Sequence, residues 1–182
     1  MSDPEKVLLN ATLAFPVREV DGVREILLAR KMKKIAAGFL NGYGGGMEKV
    51  DISTFHSARR ELLEEGRLIV PIGGLKKMAI IDFHNTTEKM GEFTCRVHVF
   101  LLTKWFGEPK STAEMRYPAW YADDKIPYEK MAPSDEFWLK KVLAGERFFA
   151  EAWLGPHQQE LLKPVVFREI LPEEMHMFEK GF

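Results

Sequence analysis

Cysteine is almost missing from this 182-residue chain, and the single Cys95 cannot close an intramolecular disulfide. Its alternating apolar surroundings mark it as a strand residue rather than a nucleophile, and a reducing, cytoplasmic setting is expected. An excess of charge of one sign is missing too. With 26 Lys and Arg against 27 Asp and Glu, the chain has no net basic character to argue for a nucleic acid polymer as partner. Long apolar runs are also lacking, because Arg and Lys interrupt each one before the roughly 20 residues that a bilayer demands. No membrane partner is expected. The opening Met1 to Lys6 has no basic region followed by an apolar stretch, so no secretory signal is expected either. What the chain does have is 46% hydrophobic residues, enough at this length for one substantial core and a single domain over 1–182.

Val7 to Phe15 and Val23 to Ala29 are β-compatible runs around the turn dipeptide Asp21-Gly22, and they predict a hairpin. Lys31 to Gly46, with Gly38, Gly42, Gly44, Gly45 and Gly46, predicts a loop with backbone freedom. Phe55, Ala58 and Leu62 recur at helical spacing between Ser53 and Glu65. Further strands are expected at 78–83, 93–105, 119–121, 148–153 and 165–168. A second helix is expected over about 134–143, with Ser134 as its cap. The closing 171–182 has no clear period and is expected to be a loosely packed tail. Hairpins together with irregularly placed helices favour an α/β (α+β) fold, a mixed β-sheet sandwiched between helices, over a doubly wound one.

On the first helix, at about 100° of turn per residue, Glu61, Glu64 and Glu65 share one face while Phe55, Ala58 and Leu62 share another. Three carboxylates this close repel one another, and a hard divalent cation with oxygen ligands removes that cost. The plain alternative is a solvated face on which Arg60 and Glu64 pair at i, i+4. The glycine-rich loop just before the helix adds a second feature, backbone able to approach a metal and a phosphate closely.

Gly45, Asp51 and Arg60-Glu61-Leu62-Leu63-Glu64-Glu65 resemble the box of the Nudix hydrolases: Gly, five residues, Glu, seven residues, then Arg-Glu-Uaa-Xaa-Glu-Glu-Xaa-Gly-Uaa, with Uaa apolar. Three features depart from it. Asp51 stands for Glu, one extra residue separates Asp51 from Arg60, and Arg67 replaces the final Gly before Leu68. The resemblance implies that Arg60, Glu61, Glu64 and Glu65 are catalytic. It also implies that the three glutamates bind Mg²⁺, with Mn²⁺ the alternative, and that Arg60 orients one of them.

The likeness continues outside the box and is greatest to the members that cleanse oxidised purine nucleoside triphosphates. Asn41-Gly42-Tyr43-Gly44-Gly45, Val97-His98-Val99-Phe100, Glu114-Met115-Arg116, Ile126-Pro127-Tyr128, Met131 through Trp138 and Phe167-Arg168-Glu169 all carry it. It implies purine contacts by Asn41 and Asp135 and a further metal-side acid at Glu114. From local sequence alone, Asn41 reads equally as a turn residue, Asp135 as a helix cap and Glu114 as a surface acid. Ala132 stands where those members have a tryptophan that stacks on the base, and Ser134 replaces the first of two aspartates. Trp138 or Phe137 is a candidate substitute, with core packing as the alternative for both. The expected function is Mg²⁺-dependent hydrolysis of modified purine nucleoside triphosphates such as 8-oxo-dGTP to the monophosphate and pyrophosphate. The alternatives are hydrolysis of another nucleoside diphosphate derivative, or a catalytically weak nucleotide-binding regulator.

Overall fold

The computed structural model describes residues 7–87 and 91–179. In chain order the strands are β1 (Val7–Val20), β2 (Val23–Lys31), β3 (Leu40–Asn41), β4 (Leu75–Thr87), β5 (Gly91–Leu102), β6 (Met115–Ala122), β7 (Phe148–Leu154) and β8 (Leu161–Arg168). The helices are α1 (Thr54–Gly66), α2 (Asp135–Leu143) and the short α3 (His176–Glu179). The described strands form one mixed sheet in the order β3-β2-β1-β5-β4-β7-β8, with β6 pairing on β2.

The long strand β1 organises this sheet by serving two neighbours in succession. Its stretch from Val7 to Pro16 runs parallel to β5, and Val17 to Val20 then pairs antiparallel with Ile26 to Val23 of β2. A hairpin around Asp21-Gly22 is therefore present, but its first arm is Val17 to Val20; the expected arm, Val7 to Phe15, pairs with β5 instead. Consecutive residues of β2 bury to opposite sides. Ile26 and Leu28 join the core under α2 with Trp138, Leu139 and Val142, while Leu27 and Ala29 join the core under α1 with Ala58 and Leu62. A strand covered on both faces reads as an unbroken apolar run, which is why Ile26-Leu27-Leu28-Ala29 shows no alternation. The mixed sheet sandwiched between helices is thus present.

Several boundaries differ from the sequence reading. β5 ends at Leu102 rather than at Trp105, whose ring leaves the strand to stack on Trp120 with centroids 5.7 Å apart. Ser134 does not cap α2. Its backbone is already right-handed helical, and its hydroxyl donates to Asp135 Oδ1 at 3.3 Å instead of accepting from a free amide. At α1 the capping works as the sequence suggests, with Ser53 Oγ accepting from the His56 amide at 3.1 Å. No described helix is long and apolar enough to cross a membrane.

The closing segment is docked over its described part, where looseness was expected. Phe178 is buried and meets the Phe149 ring edge-on at 5.4 Å, with the Arg147 guanidinium 5.0 Å from its own ring. Beneath it, Lys77 is almost fully enclosed, and its Nζ donates to the Met177 carbonyl at 2.7 Å. Burial pushes the Lys77 ammonium down to about 7, and the Arg147 charge pushes the same way. Residues 180–182 of the expected tail lie outside the described residues.

Removing the docked ring should show in stability. Phe178→Ala is expected to cost about 3 kcal/mol, the scale of a buried Phe truncation, measured as a lower denaturant midpoint. An unchanged midpoint would mean that the segment contributes nothing to the fold.

Candidate active site

The glycine-rich loop lies along β1 and is tied to it by backbone hydrogen bonds. Thr12 N donates to Gly45 O at 2.9 Å, Ala14 N to Tyr43 O at 2.7 Å, Tyr43 N to Ala14 O at 2.9 Å and Met47 N to Asn10 O at 2.9 Å. A Cβ on Gly44 would collide with the Thr12 carbonyl, so this approach admits no side chain. From that position the Gly44 amide donates to Glu65 Oε2 at 3.0 Å. Loop, strand and acidic helix are joined at one point.

Arg60 is the electrostatic centre of the helix. Its Nε and Nη2 donate to Asp51 at 3.1 and 2.8 Å, Nη1 to Glu61 at 2.9 Å and to Glu64 at 3.1 Å, and Nη2 also to the Gly46 carbonyl at 3.2 Å. The fork on Asp51 holds that carboxyl down at about 2. Glu61 and Glu65 are nearly buried, at 8% and 6% exposure, whereas the Glu64 side chain is more than half exposed. Burial raises the Glu61 carboxyl above its ordinary range, partly offset by Arg60. Burial pushes Glu65 up to about 7, with Glu61 and Glu114 acting in the same direction and the Gly44 amide and Lys31 against it. Glu114 sits across the loop, 3.6 Å from Lys34 Nζ.

The four predicted metal-side acids are therefore neighbours, but they do not form a closed cage. Among the described residues no three His, Cys, Asp or Glu side chains converge on a ready ion site. A hard cation fits this donor set nevertheless. Glu61 and Glu65 are desolvated oxygen donors that resist ionisation where they stand, and Mg²⁺ commonly uses a few carboxylates with water and substrate phosphate making up the rest.

Beside these acids opens a mainly apolar cavity of about 290 Å³. Asn41, Asp135 and Trp138 line it together with Glu65, Gly44, Gly45 and Gly46, so the predicted base-side residues share one space with the acidic helix. Asn41 accepts from the adjacent Gly42 amide at 2.9 Å, which combines the turn role with its place in the cavity wall. Asp135 is wholly enclosed. It accepts from Trp138 Nε1 at 3.2 Å, and burial pushes it up to about 7 against the pull of Ser134 and Trp138.

Trp138 contributes to the cavity wall with its ring fully buried. That ring lies between Phe15 and Phe83, at 6.0 and 6.4 Å, and it acts by holding Asp135. Phe137 is half exposed and lies away from the cavity wall. Sequence reasoning missed Lys31, Lys34, Phe83, Asn85, Phe93 and Gln158 in this wall. The lysines alone had left a sign, as cations at the mouth of a glycine-rich loop.

No family model matches the chain. Over 127 residues it is 37% identical to the zebrafish (Danio rerio) oxidized purine nucleoside triphosphate hydrolase, an overlap covering 68% of this chain and 74% of that one. It is 33% identical over 127 residues to the mouse protein of the same name, covering 69% and 76%. Among solved structures it is similar to a MutT protein from Bacillus halodurans, with a TM-score of 0.70, 22% identity and coverage of 87% and 97%. It is also similar to the NUDIX domain of Shewanella oneidensis NrtR complexed with ADP ribose, with a TM-score of 0.59, 14% identity and coverage of 78% and 88%. At these identities the structural likeness concerns the fold alone.

Two outcomes follow from the site's local chemistry. Arg67 ends α1 with φ 61°, its amide on the Leu63 carbonyl at 3.1 Å. That left-handed backbone costs a side-chain-bearing residue about 1–2 kcal/mol, of which glycine's greater freedom when unfolded returns about half. Arg67→Gly should raise stability by roughly 0.5–1 kcal/mol in a urea titration, and a lower midpoint would contradict the cap. For Asp135, whose carboxyl rises from 3.8 to about 7 on folding, the folded chain keeps a proton that the unfolded chain releases. Its contribution is therefore intact at low pH and is lost as pH rises through that window. Asp135→Asn should flatten that part of the stability profile, and an identical slope in both proteins would refute the assignment.

Proposed function

The chain belongs to the Nudix hydrolases, enzymes that act on phosphoric anhydride bonds, and from that premise we propose that its substrates are purine nucleoside triphosphates, oxidised ones such as 8-oxo-dGTP among them. The products are the monophosphate and pyrophosphate, and the cofactor is Mg²⁺, with Mn²⁺ able to serve. The observation that carries this reading is the shared cavity, in which the buried Glu65 and the base-side pair Asn41 and Asp135 face one space. The printed names of the zebrafish and mouse relatives support the same substrate class.

In this reading Glu61, Glu64, Glu65 and Glu114 supply oxygen ligands to the divalent ion. When bound, such an ion polarises phosphorus, neutralises phosphate oxygens and lowers the pKa of water. The chain's own groups do the positioning. Arg60 keeps Glu61 in place by a bond of 2.9 Å, and the Gly44 amide fixes one oxygen of Glu65 at 3.0 Å. Lys31 and Lys34 in the cavity wall bring positive charge toward a phosphate tail. Asn41 and Asp135 meet hydrogen-bonding groups of the base, in a space whose apolar lining excludes water and strengthens those contacts.

The test is a panel of normal and oxidised nucleoside triphosphates, sugar nucleotides and dinucleoside polyphosphates with Mg²⁺, products being separated by charge. Release of monophosphate and pyrophosphate from purine triphosphates is expected, and cleavage confined to sugar nucleotides would overturn the substrate assignment. Glu65→Gln should lower turnover at least about a hundredfold without unfolding the chain, the scale for losing a charge-stabilising group. Undiminished turnover in the folded variant, or full activity after exhaustive chelation, would defeat the metal-binding role.

A further inference from the structure

Gln158 reaches the cavity from the connection between β7 and β8 on a backbone that few side chains accept. His157 and Gln158 are consecutive non-glycine residues with φ of 55° and 58°, a left-handed conformation disfavoured by the contact between Cβ and the following carbonyl. Strain of this kind persists where surrounding contacts impose it, and it gathers at ligand sites. The contact here is Asn85. Gln158 Nε2 donates to Asn85 Oδ1 at 2.8 Å, and Asn85 Nδ2 donates to the Phe83 carbonyl at 2.9 Å. Asn85 is only 4% exposed, and both amides line the cavity. A primary carboxamide has two N–H donors and an acceptor oxygen. The bond to Asn85 engages one N–H and sets the plane of the group, so the second N–H and Oε1 have capacity for a further donor and acceptor pair.

Apart from the side of the wall that holds Glu65, Lys31 and Lys34, the lining includes two pairs of polar side chains. One is Asn41 and Asp135, the other Asn85 and Gln158, and Trp138 and Phe83 connect Asp135 to Asn85. Trp138 donates to Asp135 and packs on Phe83 at 6.4 Å. Phe83 precedes Asn85 by two residues on the same face of β4, a step of about 7 Å. Two polar pairs connected through apolar rings suit a flat base read along both of its edges.

Oxidation changes one edge of a purine in a way that a carboxamide can detect. With oxygen on C8, N7 carries a hydrogen, so the edge presents N–H beside C=O. That pattern is itself amide-like and complements a carboxamide through paired N–H···O bonds. The unoxidised base presents only an acceptor N7 and a C–H there. We propose that Gln158, held by Asn85, is a specificity-determining residue that pairs with the N7–H and C8=O edge of an 8-oxopurine, while Asn41 and Asp135 face the opposite edge. This rests on the purine triphosphate reading above.

Steady-state kinetics with Mg²⁺ on 8-oxo-dGTP and dGTP, for wild type, Gln158→Gly and Gln158→Glu, test it. Glycine removes the amide and relieves the left-handed backbone, so the fold should keep its thermal midpoint. Glutamate keeps the shape but has no N–H. Both variants should lose roughly ten- to a hundredfold in kcat/KM for 8-oxo-dGTP, mainly through KM, while dGTP changes by less than about twofold. Equal losses on both substrates, or none on either, in a wild type that hydrolyses them would overturn the role of Gln158 alone. A wild type inert toward both triphosphates would overturn the purine reading and this inference with it.

Discussion

The site depends on the seam between β1 and the glycine-rich loop. Four backbone hydrogen bonds of 2.7 to 2.9 Å lash residues 43–47 to residues 10–14, and they do so where β1 is also paired with β5 in the centre of the sheet. A loop this rich in glycine would otherwise sample many conformations at a high entropic cost of ordering. Bound to a central strand, it becomes nearly as fixed as the strand. The Gly44 amide then restrains Glu65 and the Gly46 carbonyl helps to restrain Arg60, so the helix that carries the acids is referred to the sheet through the loop. The same strand supplies Leu9 to Leu13 to the cavity wall, which ties that wall and the acidic helix to one rigid element.

Within that frame the acidic helix holds together by sharing a single cation. Arg60 is bonded to Asp51, Glu61 and Glu64, and Glu48 lies 3.6 Å away. One guanidinium cannot neutralise four carboxylates, and partial burial makes the deficit more expensive than on an open surface. The cost falls most heavily on Glu65, which is not among Arg60's partners and whose nearest stabilising group is a backbone amide. A cluster with too much negative charge for its fixed cations, facing a cavity that also holds lysines, is suited to a ligand that brings cations and phosphate together.

The helix and its cap were legible in the sequence because apolar spacing and a Ser at the start are local signals. The departures from the box were visible as well, but their consequences were not. Asp51 is one methylene shorter than Glu and one residue farther from Arg60, and the turn in which the Glu48 amide donates to Asp51 at 2.8 Å brings it back into reach. Arg67 sits in the left-handed position usual for Gly, while the preceding residue is the glycine. A Cβ there would approach the Tyr43 ring at 3.0 Å. Neither placement can be read from the box pattern, since each depends on a partner outside it. Ser134 misled for the opposite reason: its type fits a cap, but its backbone was already helical and its hydroxyl had a closer acceptor. Asn85 and Gln158 left no local signal at all, being 73 residues apart and joined only by the fold.

The two halves of the cavity differ in how the sequence treats the expected pattern, and the physics of each half accounts for it. Under the proposed reading, charge placement on the Glu65 side tolerates little error, because Coulomb terms in a poorly solvated site change steeply over an ångström. There the shorter Asp51 and its added spacing are offset by the turn at Glu48, and Glu61, Glu64 and Glu65 stay on one helix face. The base side is different. No ring stands at Ala132, Trp138 is fully buried, and Phe137 is half exposed and not part of the cavity wall. A base can be held by hydrogen bonds at its edges as well as by a ring over its face, and each such pair discriminates on a scale comparable to stacking. Under the proposed reading, the lack of an aromatic wall shifts the burden of recognition toward edge contacts, and the buried Asn85 with the half-buried Gln158 bonded to it, set beside Phe83, are groups suited to carry it.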